Sequence, residues 1–193
     1  MSRKIDNTTQ PSLVLRLRDH ADATAWSEFV DVYSPLIYDF CRTRDLQSSD
    51  AADVTQEVLL RLSKAIRNFE YDRDKGLFRD WLARIVLNEI RRLTKKSTHM
   101  VISSEELVKD YGNLASNWNE QFQQYIFSKA LERAKANFNE ETWAMFELSW
   151  IQKLPNEQVA ESLGVGIERI YVARSRVLKR LRYEVAILSD DIV

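Results

Sequence analysis

The chain has 193 residues, 45% of them apolar and 30% charged, and its formal net charge at pH 7 is −1. That supports one ordinary domain or two small ones with cores of their own, while a single cysteine, Cys41, rules out a disulfide framework and points to a reducing compartment. No apolar run approaches the length of a membrane span, and the opening MSRKIDNTTQPS lacks a signal-peptide core, so no membrane partner is expected.

Four glycines and three prolines leave long stretches uninterrupted, which argues for an all-α fold. Residues 1–11 are polar and read as a loose tail. From Ser12 to Lys96 the apolar period is helical: SLVLRLRDH, then ATAWSEFVDVYSPLIYDFCRTRD, then SDAADVTQEVLLRLSKAIRNF, then GLFRDWLARIVLNEIRRLTKK after the charged turn EYDRDKG. Residues 97–117 lose that period and read as a linker with at most one short helix. A second helical block begins at Trp118 and runs to the end, with Asn139 placed as a cap and Pro155 as a first-turn proline. The expected architecture is two small helical domains, 12–96 and 118–193, joined by that linker.

The third segment separates into two faces. Val54, Val58, Leu62, Ala65 and Phe69 form a core stripe, whereas Asp53, Gln56, Glu57 and Leu60 fall on the far side. An outward leucine ringed by two carboxylates and an amide resembles a small interface whose partner brings arginines. Asp53 and Glu57 have no histidine or cysteine beside them, so no metal is expected there.

The fourth segment divides as cleanly, and the even net charge hides it. Between Trp81 and Lys96, Arg84, Arg91, Arg92, Lys95 and Lys96 stand against the single acid Glu89. At 100° per residue, Phe78, Leu82, Ile85, Val86, Ile90 and Leu93 share one side; Trp81, Arg84, Asn88, Arg91, Arg92 and Lys95 share another. An indole can stack on a base, cations hold phosphates, and an amide can read a base edge. Phe69 and Tyr71, beside the charged turn, could wall a pocket for an extruded base. The plainer alternative has Trp81 at the core edge and the cations solvated. Glu89 lies nearer the oily sector, where the pattern gives it no reason to be.

LPNEQVAESLGVGIERIYVARSRVLKRL reads as a helix-turn-helix: a short amphipathic helix, a turn at Gly164, and a longer basic helix. Val159, Ala160 and Leu163 should pack against Ile170, Ala173, Val177 and Leu181. Arg169, Tyr171, Val172, Ser175 and Arg176 lie off that stripe, where a groove-reading helix meets base edges, and Arg180 and Arg182 follow at positions suited to phosphates. The alternative is an ordinary hairpin within a helical bundle.

Taken in order, these stretches resemble the extracytoplasmic-function (ECF) sigma factors, the compact two-domain branch of the sigma-70 family, over about Ser12 to Leu188. DAADVTQEVLLRL is similar to the helix that family presents to the clamp coiled coil of the polymerase largest subunit; Asp53, Gln56 and Glu57 match its pattern, and the outward Leu60 joins them as a candidate polymerase contact. FEYDRDKGLFRDWLARIVLN resembles the loop and helix that open and read the −10 element; Trp81 and Asn88 match its positions, and Phe69 and Tyr71 fall in the loop that accepts a flipped base. LGVGIERIYVARSRVLKRL resembles the helix-turn-helix that reads the −35 element. Two departures stand out: the basic cluster IRRLTKK follows Asn88 sooner than in many members, and Arg169 and Tyr171 replace simpler residues. The resemblance implies a bacterial, cytoplasmic transcription initiation factor whose partners are core RNA polymerase, promoter DNA and, as in many members, an anti-sigma factor. It implies no cofactor, no metal and no enzymatic step.

Two other classes stay in view. A stand-alone helix-turn-helix regulator would bind duplex without polymerase and would not need the Asp53–Leu60 face or the Trp81 row. An enzyme acting on nucleic acid finds little support: GVG at Gly164 follows a helix rather than a strand, no GK[ST] occurs, and His20 and His99 have no nucleophile or carboxylate near them in sequence.

Overall fold

The computed structural model describes residues 12–19, 21–66, 77–98 and 104–189, and side-chain surroundings for all of these except 94–98 and 104–115. The elements among them are helices, and no strand occurs among the described residues: α1 (Leu13–Arg16), α2 (Ala23–Arg42), α3 (Ser48–Ala65), α4 (Phe78–Thr98), α5 (Ser104–Lys135), α6 (Glu140–Phe146) continuing into a π-helical turn (Glu147–Ile151), α7 (Asn156–Leu163) and α8 (Ile167–Leu188). The all-α expectation holds.

Two compact units emerge, one from Met1–Tyr125 with Ile187–Val193 and the other from Ile126–Ala186. This differs from the predicted division. The stretch read as a linker, 97–117, is helical to Thr98 and again from Ser104 onward, and the boundary falls inside α5 at Tyr125 rather than before Trp118. Leu107, Val108, Tyr111 and Leu114 do recur at helical spacing in phase with Trp118, a signal that Gly112 and the polar residues around it obscured; the helix persists although glycine costs about 1 kcal/mol in a helix interior. Pro35 likewise sits inside α2. It removes one backbone donor, but Pro35 and Asp31 are both exposed, so the carbonyl four residues back can turn to water.

The first unit is built around an aromatic core. Phe29 and Tyr33 of α2 stack at 4.2 Å, and Phe78 at the start of α4 meets both edge-on. Trp118 of α5 is fully buried, T-shaped against Phe40 at 4.8 Å, and its indole N–H donates to the Arg79 carbonyl at 3.0 Å. That contact explains why Trp118 and Phe122 belong to this unit and not to the following one. The buried Tyr33 hydroxyl donates to the Leu188 carbonyl at 2.7 Å, fastening the end of α8 to α2. At the other end, Arg16 bonds both Asp22, the α2 N-cap, and Glu28, which ties α1 to α2.

In the second unit, Met145, Val159, Ile170 and Ala173 form one apolar cluster, joined by Ala160 and Leu163. Val177 instead packs with Trp143 and Phe146 of α6 in a second cluster. The predicted stripe of α8 is therefore buried, but Ile170 and Ala173 pack with α7 and with Met145 of α6, whereas Val177 meets Trp143 and Phe146 of α6. Asn139 caps α6 as expected, its side chain accepting from the Thr142 N–H at 2.9 Å. Pro155 is itself the N-cap of α7, one residue earlier than predicted. Gly164 ends α7 in the left-handed region at φ 64°, ψ 34°, the conformation in which glycine carries no Cβ penalty.

Candidate nucleic-acid interface

α3 begins without a side-chain cap on Gln47, and Asp50 in its first turn suits the helix dipole instead. Its inner face buries Val54, Val58 and Leu62 as predicted. Ala65 is exposed, so the stripe ends one turn earlier than expected, and Phe69 lies outside the described residues. On the outer face Asp53 and Gln56 are exposed, Glu57 is half-buried, and Leu60 is 54% exposed. The predicted face is therefore assembled, an apolar side chain ringed by one amide and two acids. Among the described residues, no three or more His, Cys, Asp or Glu side chains come together as a group that could hold a metal ion.

α4 starts where the Asp80 carboxylate accepts from the Leu77 N–H at 3.3 Å. Phe78, Leu82, Ala83, Val86, Leu87 and Ile90 are buried, a broader stripe than the one predicted, and Ile85 and Leu93 are only half-buried at its margin. Trp81 is half-buried, its ring 5.7 Å from that of Phe78 and inclined by 46°. Arg84, Asn88 and Arg92 are exposed and Arg91 is half-buried. An indole anchored on one core aromatic thus heads a row of guanidinium and amide groups spaced three and four residues apart. Tyr71 and the side chain of Lys95 lie outside the described residues, as does Phe69.

Glu89, anomalous in the sequence, has a structural reason. It is 4% exposed, and its carboxylate pairs with Arg61 of α3 at 2.5 Å and Arg92 at 3.6 Å. A buried carboxylate requires such partners. Helical spacing alone could not identify Arg61, because it comes from another helix. The pair joins α3 to α4, and each partner follows an outer-face residue in the chain, Leu60 or Asn88.

The outward side of α8 carries Tyr171 and Val172, each 56% exposed, with Ser175, Arg176, Lys179 and Arg182 also exposed. Arg169 is exposed and paired with Glu141 at 2.9 Å. Arg180 departs from expectation. Its guanidinium pairs at 2.5 Å with Glu184, a buried acid, and lies over the Tyr183 ring, so it serves the packing of the unit rather than its outer face. Lys179, passed over in the sequence, takes that outward position; its spacing of four residues from Ser175 and seven from Val172 was the available signal. A recess of about 230 Å³ lined by Thr43, Arg44, Asn117, Glu120 and Gln121 contains none of the predicted site residues.

These features define a class: an all-helical protein presenting two separate cationic faces, one with an indole and an amide, the other on the second helix of a helix-turn-helix. Comparison with known proteins sharpens it. Residues 29–99 match the sigma-70 region 2 family, a stretch that includes α3 and α4 in full. The chain is 26% identical over 162 residues to the ECF RNA polymerase sigma factor SigE of Mycolicibacterium smegmatis, covering 82% of this chain, and it spans only 60% of that relative's length. It is 24% identical over 173 residues to the ECF RNA polymerase sigma factor SigW of Bacillus subtilis, covering 83% of this chain and 91% of that one. Among solved structures, CnrH in complex with the cytosolic domain of CnrY aligns at 18% identity and a TM-score of 0.37, covering 88% of this chain and 92% of that one. The RsbN–BldN complex aligns at 20% and 0.31, covering 87% and 96%. Residues 29–99 thus form a sigma-70 region 2, and over most of its length the chain is similar to ECF RNA polymerase sigma factors. Sigma factors are transcription initiation factors and not enzymes.

Proposed function

We propose that this chain binds core RNA polymerase through the outer face of α3 and directs it to promoters, opening the −10 element with α4 and docking on the −35 duplex with α8. The observation that carries the reading is the row Trp81, Arg84, Asn88 and Arg92 on the side of α4 away from its core, within the stretch that matches sigma-70 region 2. Arg92 also faces Glu89 and Trp81 rests on Phe78, but Arg84 and Asn88 stand exposed in the same row, and unpaired bases beside a phosphate backbone make use of indole, amide and cation together.

Phe69, Tyr71 and Lys95 join that row in the proposal, and Arg169, Tyr171, Val172, Ser175 and Arg176 read the upstream element. Each contact alone is weak and easily lost to salt, and holding both on one polymerase raises the effective concentration of the second. Capturing unpaired bases then favours the open duplex by differential binding, with no covalent step. An anti-sigma factor would inhibit by covering any of these faces. The setting is bacterial cytoplasm, and no described helix is long and apolar enough to cross a membrane.

Reconstitution with core polymerase and sequencing of transcript starts tests the proposal. Glu57→Lys is expected to abolish polymerase binding with the fold intact, and unchanged affinity refutes the α3 assignment. Trp81→Ala with Asn88→Ala should preserve duplex docking while removing permanganate reactivity of thymines in the −10 region; full reactivity refutes the α4 assignment.

A further inference from the structure

We infer that Val172 reads the 5-methyl group of a thymine in the upstream duplex. This deepens the proposed role of α8 and rests on it. Val172 and Tyr171 are exposed apolar neighbours on a helix whose outer face is otherwise polar. Buried alternatives exist on the same helix: Ile170 and Ala173, either side of the pair, fill the core. Ser175 and Lys179 follow Val172 at three and seven residues, so the three share a line along the helix with valine at its N-terminal end and the cation towards its C-terminal end. Arg176 and Arg182 add charge in the same C-terminal part. Glu168, the acid of this first turn, is exposed, with its carboxylate close to Gly166.

This gradient selects the occupant. A hydrophobic protein partner would not be met by three exposed cations on the same surface, whereas a duplex meets the N-terminal half of such a helix with base edges and the rest with phosphates. In the major groove one apolar group belongs to the bases themselves, the thymine methyl. Valine suits it because its branched side chain has one strongly preferred rotamer in a helix and loses little freedom on contact. Tyr171 stands beside it as a second wall.

The test uses full-length chain assembled with core polymerase. A duplex is selected from a randomised library, and each upstream thymine is then replaced singly by deoxyuridine, which removes the methyl and leaves every hydrogen-bonding group. The expected result is one thymine at which deoxyuridine weakens wild-type binding about threefold to fivefold, in line with burial of one methyl. Val172→Ala should bind the thymine duplex more weakly by a similar factor and respond no further to deoxyuridine. Val172 is exposed, so this variant leaves the core untouched. A selected duplex with no methyl-sensitive thymine overturns the inference and leaves the proposed function standing. So does a methyl effect that persists in Val172→Ala. If no duplex is selected at all, the assignment of α8 falls and this inference with it.

Discussion

Replacing Arg61 by methionine isolates what the α3–α4 ion pair contributes. The Glu89 carboxylate is 4% exposed and, among the described residues, would keep Arg92 as its ion-pair partner at 3.6 Å, beyond good hydrogen-bonding distance. Breaking a fully buried pair by removing one partner costs about 3–5 kcal/mol. Arg61 is 48% exposed and Arg92 remains nearby, so solvent offsets part of this and the expected loss is about 2 kcal/mol. Adding Glu89→Leu removes the stranded charge, and the double variant should recover to within about 1 kcal/mol of wild type. The assay is hydrogen exchange in peptides covering α3 and α4 across a urea series at fixed salt, which reports the stability of these helices separately from the second unit. An Arg61→Met loss below about 0.5 kcal/mol, or a double variant no more stable than the single, would refute the reasoning, since either result means that Glu89 does not depend on its partner.

Burial pushes the Cys41 thiol up to about 12, against a smaller opposing pull from Arg44. The folded protein should therefore resist thiol reagents at pH 8 and react at once in urea; rapid labelling of native protein would contradict the packing. Because the folded thiol ionises later than the unfolded one, its contribution to stability is complete below the ordinary thiol range and declines as pH rises from there towards 12. Gly164→Ala should destabilise the second unit by about 1 kcal/mol, read as a shift in its thermal midpoint. The space around the added Cβ is open, so the cost comes only from the left-handed backbone at φ 64°. A neutral result would mean that the α7–α8 turn relaxes to another geometry.

What could be read from the sequence was whatever one helix decides for itself. The inner faces of α3 and α4 and the αL turn at Gly164 follow from apolar period and turn chemistry. So do the exposed positions of Asn88, Leu60 and Val172, since a residue opposite the core stripe faces outward whatever lies beyond. What stayed hidden depends on a second helix. Glu89 makes sense only with Arg61, Arg180 turns inward only because Glu184 is buried, and Trp118 joins the first unit because its indole finds the Arg79 carbonyl. The helical stretch over 104–117 escaped for another reason: its stripe of Leu107, Val108, Tyr111 and Leu114 is short and is interrupted by Gly112.

The π-helical turn Glu147–Ile151 bears on how this chain can change length. A wide turn of this kind accommodates one surplus residue in an otherwise α-helical path. Here the Ser149 hydroxyl donates to the Met145 carbonyl at 2.6 Å, Ile151 is exposed, and the partly exposed Trp150 carries the Arg174 guanidinium over its ring at 4.2 Å. Excising Ile151, which is exposed and joins neither apolar cluster, would tighten the coil towards ordinary pitch while keeping Leu148 in its cluster. A deletion in the middle of α8 would rotate every later side chain by about 100° and unseat them. The gene can therefore shed a codon at one place in this half of the protein with little penalty, and descendants lacking it should be found folded.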